Sequence, residues 1–200
     1  MVHKINQLLY YLFRFSFYRL TMGKIGSSSR LVKAKIDGHK NIYIGSKVFV
    51  NDHGWLACLP LTGNKNCRLN IGDGTYIGRF CHFYATSKID IGVKVLIADR
   101  VYIADNLHEF SDVKIPVIDQ GVRQTNEVTI GDGAWLGENV SVIGASVGKQ
   151  SVIGANSVVT KDIPDYCVAV GSPARIIKRF SFDKQEWLQT DPEGNFLKLS

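Results

Sequence analysis

Aliphatic residues return along much of this chain at a step of six. Between residues 130 and 164 they fall at Ile130, Leu136, Val142, Val147, Ile153 and Val159, with a single step of five after Val142. Four of them are followed directly by glycine (Gly131, Gly137, Gly148, Gly154), and small or β-branched residues stand four places on (Ala134, Val140, Ser151, Ser157). A period of six matches neither the 3.6 of a helix nor the alternation of a simple strand. It matches a chain that turns a corner every six residues, with the aliphatic inward on each flat face and the glycine allowing the bend. Three such units close a triangular coil of about eighteen residues, and successive coils stack at about 4.8 Å. The pattern predicts an all-β solenoid, a parallel β-helix of four to five coils.

Upstream the habit is weaker. Ile36, Ile42, Ile44, Val48 and Val50 carry it, and residues 53–66 break it with Trp55, Pro60 and Gly63, which predicts a loop or distorted coil beside a substrate entrance. It resumes at Ile71, Ile77 and Phe83, skips two residues at Ile89 to Ile91, and continues at Ile97 and Ile103. No hexad follows until Ile130, so residues 106–127 are expected to leave one corner as a protruding loop and to cover part of a neighbouring subunit. Loops held on a rigid scaffold are the usual carriers of chemistry.

The ends differ from the middle. Residues 4–20 are apolar on nearly every side but interrupted by Arg14 and Arg19. The segment is short for a membrane span and lacks a secretory cleavage site. Two readings stand: a helix that caps the solenoid or packs on a neighbour, and an interfacial helix in peripheral contact with a membrane. Gly26 to Ser29 reads as a flexible join. Pro164 ends the ladder, Gly171 and Pro173 form a turn, and the stretch from Ser181 reads as a capped short helix before a loose tail. The expected organisation is an N-terminal helical segment (1–30), the β-helix with its loop (31–165), and a C-terminal turn, short helix and tail (166–200).

Composition narrows the function classes. Hydrophobic residues make up 45% and charged residues 21%, ordinary for a folded chain. The net charge of +6 suits solubility or an anionic ligand. Basic blocks with interleaved aromatics, finger spacings and helix-turn-helix patterns are missing, which argues against nucleic acid. The four cysteines show no paired-ligand spacing; they suggest a reducing compartment, with Cys58 and Cys67 the one pair to check for a bridge.

The hexads resemble the left-handed β-helix of the hexapeptide-repeat acyltransferases. Residues 130–137 (IGDGAWLG), 153–164 (IGANSVVTKDIP) and 171–175 (GSPAR) resemble in particular the branch that includes sugar O-acetyltransferases. The likeness covers roughly residues 35 to 180. It implies a cytoplasmic enzyme, held at most at the inner face of the membrane. It also implies a homotrimer with active sites between subunits, and acetyl transfer from acetyl-CoA to a hydroxyl of a sugar or polysaccharide precursor. By the same resemblance His108 is the catalytic base. Trp135 would lie near the acceptor and the thioester, and Gly154, Ser157, Lys161, Arg175 and Lys178 along the cofactor. The sequence departs from the maltose and galactoside enzymes at Leu107-His108-Glu109 and in its N-terminal segment.

The chemistry supports a base at this position. A hydroxyl attacks a thioester well only if its proton leaves during attack, and an imidazole with an ordinary pKa of about 6.5 is matched to that task. Asp105 or Glu109 could orient its ring, Asp105 and Asn106 lie beside it for the acceptor, and His82 closes its hexad where it could face the same groove. N-acetylation of a free or nucleotide-linked amino sugar needs the same base and stays open. A non-catalytic scaffold would need no loop histidine. A metal hydrase like the γ-type carbonic anhydrases would need a further histidine after His108, and the sequence has none.

Overall fold

The structure, a computed structural model, describes residues 13–197; the expected N-terminal helix before residue 13 lies outside them. Short parallel strands build the three faces of a left-handed β-helix. Face A runs from Lys24–Ile25 through Ile42–Ile44, Arg68–Ile71, Lys88–Ile91 and Val128–Ile130, and is continued by bridges at Val147 and Ile163. Face B runs from Arg30–Leu31 through Trp135–Leu136 to Cys167–Gly171, and face C from Lys35–Asp37 through His82–Ala85 to Val158–Val159.

Pairing is in register, so each inward side chain sits on its equivalent in the next coil. Ile44, Ile71, Ile91 and Ile130 form one stack on face A, and Leu56, Phe83, Ile103 and Val142 one on face C. All eight are buried. Burying one such side chain contributes about 1.5–3 kcal/mol, and only stacking between coils achieves it.

Several expectations are corrected. Face C has six strands, hence six complete coils with a seventh begun, rather than four to five. The first coil was hidden because only Ile25, Leu31 and Ile36 mark it, amid polar residues. Gly26 to Ser29 is a corner of that coil and not a flexible join. The Ser29 hydroxyl is buried, donates to the Gly45 carbonyl (2.7 Å) and accepts from Val48 N–H (3.0 Å). Residues 53–66 are irregular only after Cys58, since Trp55–Cys58 is an ordinary strand with Leu56 inward. The solenoid reaches Gly171 before a hairpin of Ala174–Ser181 and Glu186–Gln189.

That hairpin replaces the predicted C-terminal helix. The Ser181 hydroxyl accepts from Lys184 N–H (3.3 Å) as a cap would, but it closes a turn. Gln185 takes a left-handed φ of 55°, and Trp187 then pairs opposite Phe180, ring centroids 5.5 Å apart. Too short to nucleate a stable helix alone, the stretch gains more from cross-strand aromatics.

The hexad glycines also work differently from the expectation. Gly148 has no left-handed φ; the bend comes two residues later, at Gln150 (φ 54°). What Gly148 permits is close stacking, because a Cβ there would lie 2.3 Å from the backbone nitrogen of Asp165 in the next coil.

Candidate active site

Two excursions leave the same corner, between faces C and A, and they share a support. The shorter is residues 59–67. The longer departs after Ala104 as an antiparallel ribbon of Asn106–His108 with Val122–Gln124, pairing His108 with Val122. At its base the Asp105 carboxylate is fully buried. It accepts from the backbone N–H groups of Thr86 (2.8 Å), Ser87 (2.7 Å) and Lys88 (2.7 Å), and from the Asn106 amide (3.0 Å). Across the ribbon the Gln124 amide donates to the Asp105 carbonyl (2.6 Å) and its oxygen accepts from Thr62 (2.8 Å) and Thr86 (2.9 Å). Gln124 thus clamps both excursions to the coil between them.

His108 is the last residue of the outgoing strand, and its side chain is exposed. Glu109, beside it, spends its carboxylate on the N–H groups of Phe110 (2.9 Å) and Ser111 (3.0 Å), which holds its pKa below the usual carboxylate range.

Next to this corner the outer side of face C forms an aromatic wall. Lys35, Trp55, His82 and Tyr102 occupy one register row. The Lys35 ammonium stands 3.8 Å from the centre of the Trp55 ring, and the indole N–H donates to Asp37 (2.7 Å). Trp55 stacks on His82, which also meets Tyr84 (5.8 Å) and Tyr102 (5.4 Å). Burial, then the charge of Lys35, lowers the His82 pKa; burial first also raises those of Tyr84 and Tyr102. The His82 Nε2 atom is buried without a partner. The wall therefore offers neutral rings, a tyrosine hydroxyl on either side and a Lys35–Asp37 ion pair (3.2 Å) at one end.

The sequence-predicted residues do not all converge here. His108 and His82 belong to this region. Asp105 is removed from the acceptor set and from orienting His108, because it is buried and saturated by the corner. Asn106 is also buried and donates to the Tyr84 carbonyl (2.8 Å), so it braces the wall from behind. Trp135 projects from face B, 47% exposed, in the stripe with Leu96; one chain does not bring it to His108. Gly154 sits at the next corner of the coil, where a Cβ would meet Val170 (2.8 Å). Ser157 is fully buried, and its hydroxyl accepts from Gly171 N–H (3.0 Å) inside the coil, away from any ligand on the surface. Lys161, Arg175 and Lys178 are exposed towards the C-terminal end. Trp55, Tyr84 and Tyr102 were missed, although aromatics just outside the inward position of hexads 27 and 20 residues apart would have marked one column.

Elsewhere, a groove of about 400 Å³ on face A is lined by Tyr43, Arg68, Asn70 and Asp90 among others. It contains none of the predicted residues, and Arg68, Asn70 and Asp90 in it pair with one another. All four cysteines are buried and free, and no group of three or more potential metal ligands occurs among the described residues.

Comparison with known proteins agrees with this architecture. Residues 127–161 match the family described as the hexapeptide repeat of succinyl-transferase. The chain is 36% identical over 149 residues to Rv3034c of Mycobacterium tuberculosis, assigned as an acetyltransferase, covering 68% of this chain and 49% of the relative. It is 36% identical over 123 residues to WbbJ of Escherichia coli, assigned as a lipopolysaccharide biosynthesis O-acetyl transferase, covering 58% and 62%. The chain thus spans less than two thirds of the length of either relative. In fold it is similar to AntD, an N-acyltransferase from Bacillus cereus in complex with dTDP and 3-hydroxybutyryl-CoA, with TM-score 0.70, 20% identity and coverage of 86% and 90%.

Proposed function

We infer that this chain belongs to the hexapeptide-repeat acyltransferases, and from that premise we propose that it moves an acetyl group from acetyl-CoA to a hydroxyl of a sugar or polysaccharide precursor. The observation that carries the reading is His108: an exposed imidazole on a ribbon locked at its root by Asp105 and Gln124, beside an aromatic wall. Both faces of Trp55 are covered, by Lys35 and by His82, so the wall presents ring edges to a sugar, with the Tyr84 and Tyr102 hydroxyls and the Lys35–Asp37 pair to meet its hydroxyl groups.

In the reaction, the neutral ring of His108 takes the proton of the acceptor hydroxyl as its oxygen bonds to the thioester carbonyl carbon. The C–S bond then breaks, and the imidazolium returns the proton to the departing thiolate. The products are an acetyl ester and free thiol, with His108 restored. A base positioned in this way contributes about 10²–10⁴-fold. Arg175 and Lys178 are exposed and make no ion pair among the described residues, so both are available to the phosphates of CoA.

Assembly belongs to the same proposal. Trp135 and His108 lie on different sides of one prism, and a trimer with parallel axes would set face B of one copy against the ribbon of the next. Phe49, Tyr76, Leu96 and Trp135 make the outer side of face B apolar, and Phe110, Val113 and Ile118 expose apolar surface on the ribbon's excursion. Such complementary surfaces on one chain suit a heterologous ring.

The test is thiol release from acetyl-CoA across sugars, amino sugars, nucleotide sugars and polysaccharide fragments, beside His108→Ala. Release that requires a hydroxyl acceptor and falls at least 100-fold in the variant, within the usual contribution of such a base, is the expected result. Release only with amino sugars moves the reaction to N-acetylation. Near-normal turnover by His108→Ala overturns the assignment of the base.

A further inference from the structure

Charge is distributed unevenly along this chain. Residues 1–40 hold eight Lys and Arg against one acid, Asp37, a net of +7, while the whole chain carries +6. Residues 41–200 therefore sum to −1, and the entire excess lies at the N-terminal end.

Among the described residues, much of that excess lies around one end of the prism. Among the described residues the first coil has no coil beneath it, and a helix over residues 13–21 covers the opening. Tyr18 and Met22 press onto the coil and are buried, and the Arg14 guanidinium donates to the Ala34 carbonyl (3.0 Å). Around this cap Lys24 opens face A, Arg30 opens face B, Lys33 stands at the following corner and Lys40 just beyond face C, all exposed. Arg19 adds a cation on the helix itself.

The outer side of the helix is apolar. Phe13, Phe17 and Leu20 are 79%, 53% and 87% exposed, and spacings of four and three place them on one stripe. The stripe is thus framed by cations at the end of a rigid prism. No helix among the described residues is long and apolar enough to cross a membrane, but an amphipathic helix with basic flanks can lie in the headgroup region.

We propose that this end of the β-helix is a docking surface for an anionic phospholipid bilayer. Phe13, Phe17 and Leu20 enter the boundary of headgroups and acyl chains while the ring of Lys and Arg meets lipid phosphates, so that the prism stands upright on the membrane. A second copy of this chain is the poorer occupant, since an end-to-end contact would set one cationic rim against another. The proposal does not depend on the acyl-transfer reading. In a parallel trimer three such ends would face the same surface and bind with avidity.

The experiment is co-sedimentation of the full chain with vesicles of phosphatidylcholine alone or mixed equally with phosphatidylglycerol. It is repeated with Phe13→Ser/Leu20→Ser and with Lys24→Glu/Lys33→Glu/Lys40→Glu. The expected result is pelleting with the anionic vesicles only, reversed by high salt. Partition should weaken in both variants, and in the charge variant by about fivefold or more for each altered charge. No pelleting of the native chain, or equal pelleting of the charge variant, overturns the proposal. So does an apolar variant whose mass by light scattering falls while its lipid partition stays, which would make the stripe a contact between copies. The charge variant alters only exposed side chains, so it keeps the test decisive if the apolar variant fails to fold.

Discussion

The indole of Trp55 lies flat on the imidazole of His82, with ring centroids 4.2 Å apart and planes 4° apart. The two are direct partners in neighbouring coils. The axial spacing of about 4.8 Å between coils is close to the stacking distance of flat rings, so equal register alone turns two distant residues into a stack. The same logic adds Tyr102 above and the Lys35 ammonium below. It makes one side of the prism an aromatic surface without any loop to build it.

The stack has a pH signature. His82 titrates near 6.5 in the unfolded chain and lower in the folded one, because burial and then Lys35 disfavour its charged form. Between these values the unfolded state binds more protons, so stability is complete above about pH 6.5 and declines as pH falls towards the folded value. His82→Phe keeps a ring in the stack and removes the titration. Melting temperatures should then change less between about pH 7 and pH 5 than in the native protein; an unaltered slope would show that His82 is not the group responsible.

Asp105→Ala should be costly for stability although His108 stands only three residues away. Three backbone N–H groups of the corner lose their acceptor, and each unsatisfied buried donor costs about 1–3 kcal/mol. Denaturant unfolding should report a loss of at least about 3 kcal/mol. A loss under about 1 kcal/mol would mean that water replaces the carboxylate readily.

Gln124 is a positioning residue on the proposed mechanism. Gln124→Ala frees the ribbon from Thr62, Thr86 and the Asp105 carbonyl without emptying the solenoid core. The melting temperature should fall less than in Asp105→Ala, kcat should fall about tenfold or more, and KM for acetyl-CoA should stay close to native. A shift in KM with unchanged kcat would place Gln124 at a binding surface instead.

Arg175→Ala examines the far end of the donor site. Removing one charge-assisted phosphate contact should raise KM for acetyl-CoA roughly tenfold and leave KM for the acceptor nearly unchanged. Steady-state kinetics with each substrate varied in turn would distinguish this from a general loss of activity. Equal changes in both constants would remove Arg175 from the donor site.

The hexads made the architecture legible because each inward aliphatic of a β-helix meets its equivalent one coil away, so the repeat in sequence is the repeat in space. The six-residue step at residues 130–159 and the departure of the ribbon before Ile130 both follow from that identity. His108 was also legible, as a histidine at the start of an excursion that interrupts a regular scaffold. The first coil was less so: Ile25, Leu31 and Ile36 keep the step, but the glycine and serine run between them resembles a linker. The C-terminal hairpin was misread because nine residues with a good capping serine do not reveal that Trp187 will find Phe180.

By itself the sequence determined the solenoid and its corner excursion, since these rest on local periodicity and on where it fails, whereas the role of His108 rests on resemblance to a family. Only the tertiary structure decided that Asp105 belongs to the corner while Trp55, His82 and Tyr102 form one wall. It also decided that Arg19, Lys24, Arg30, Lys33 and Lys40 lie around an exposed apolar stripe. The physical reason is that burial and stacking are properties of neighbouring coils: a carboxylate is consumed by N–H groups about eighteen residues earlier in the chain, and a ring finds its partner 27 residues away.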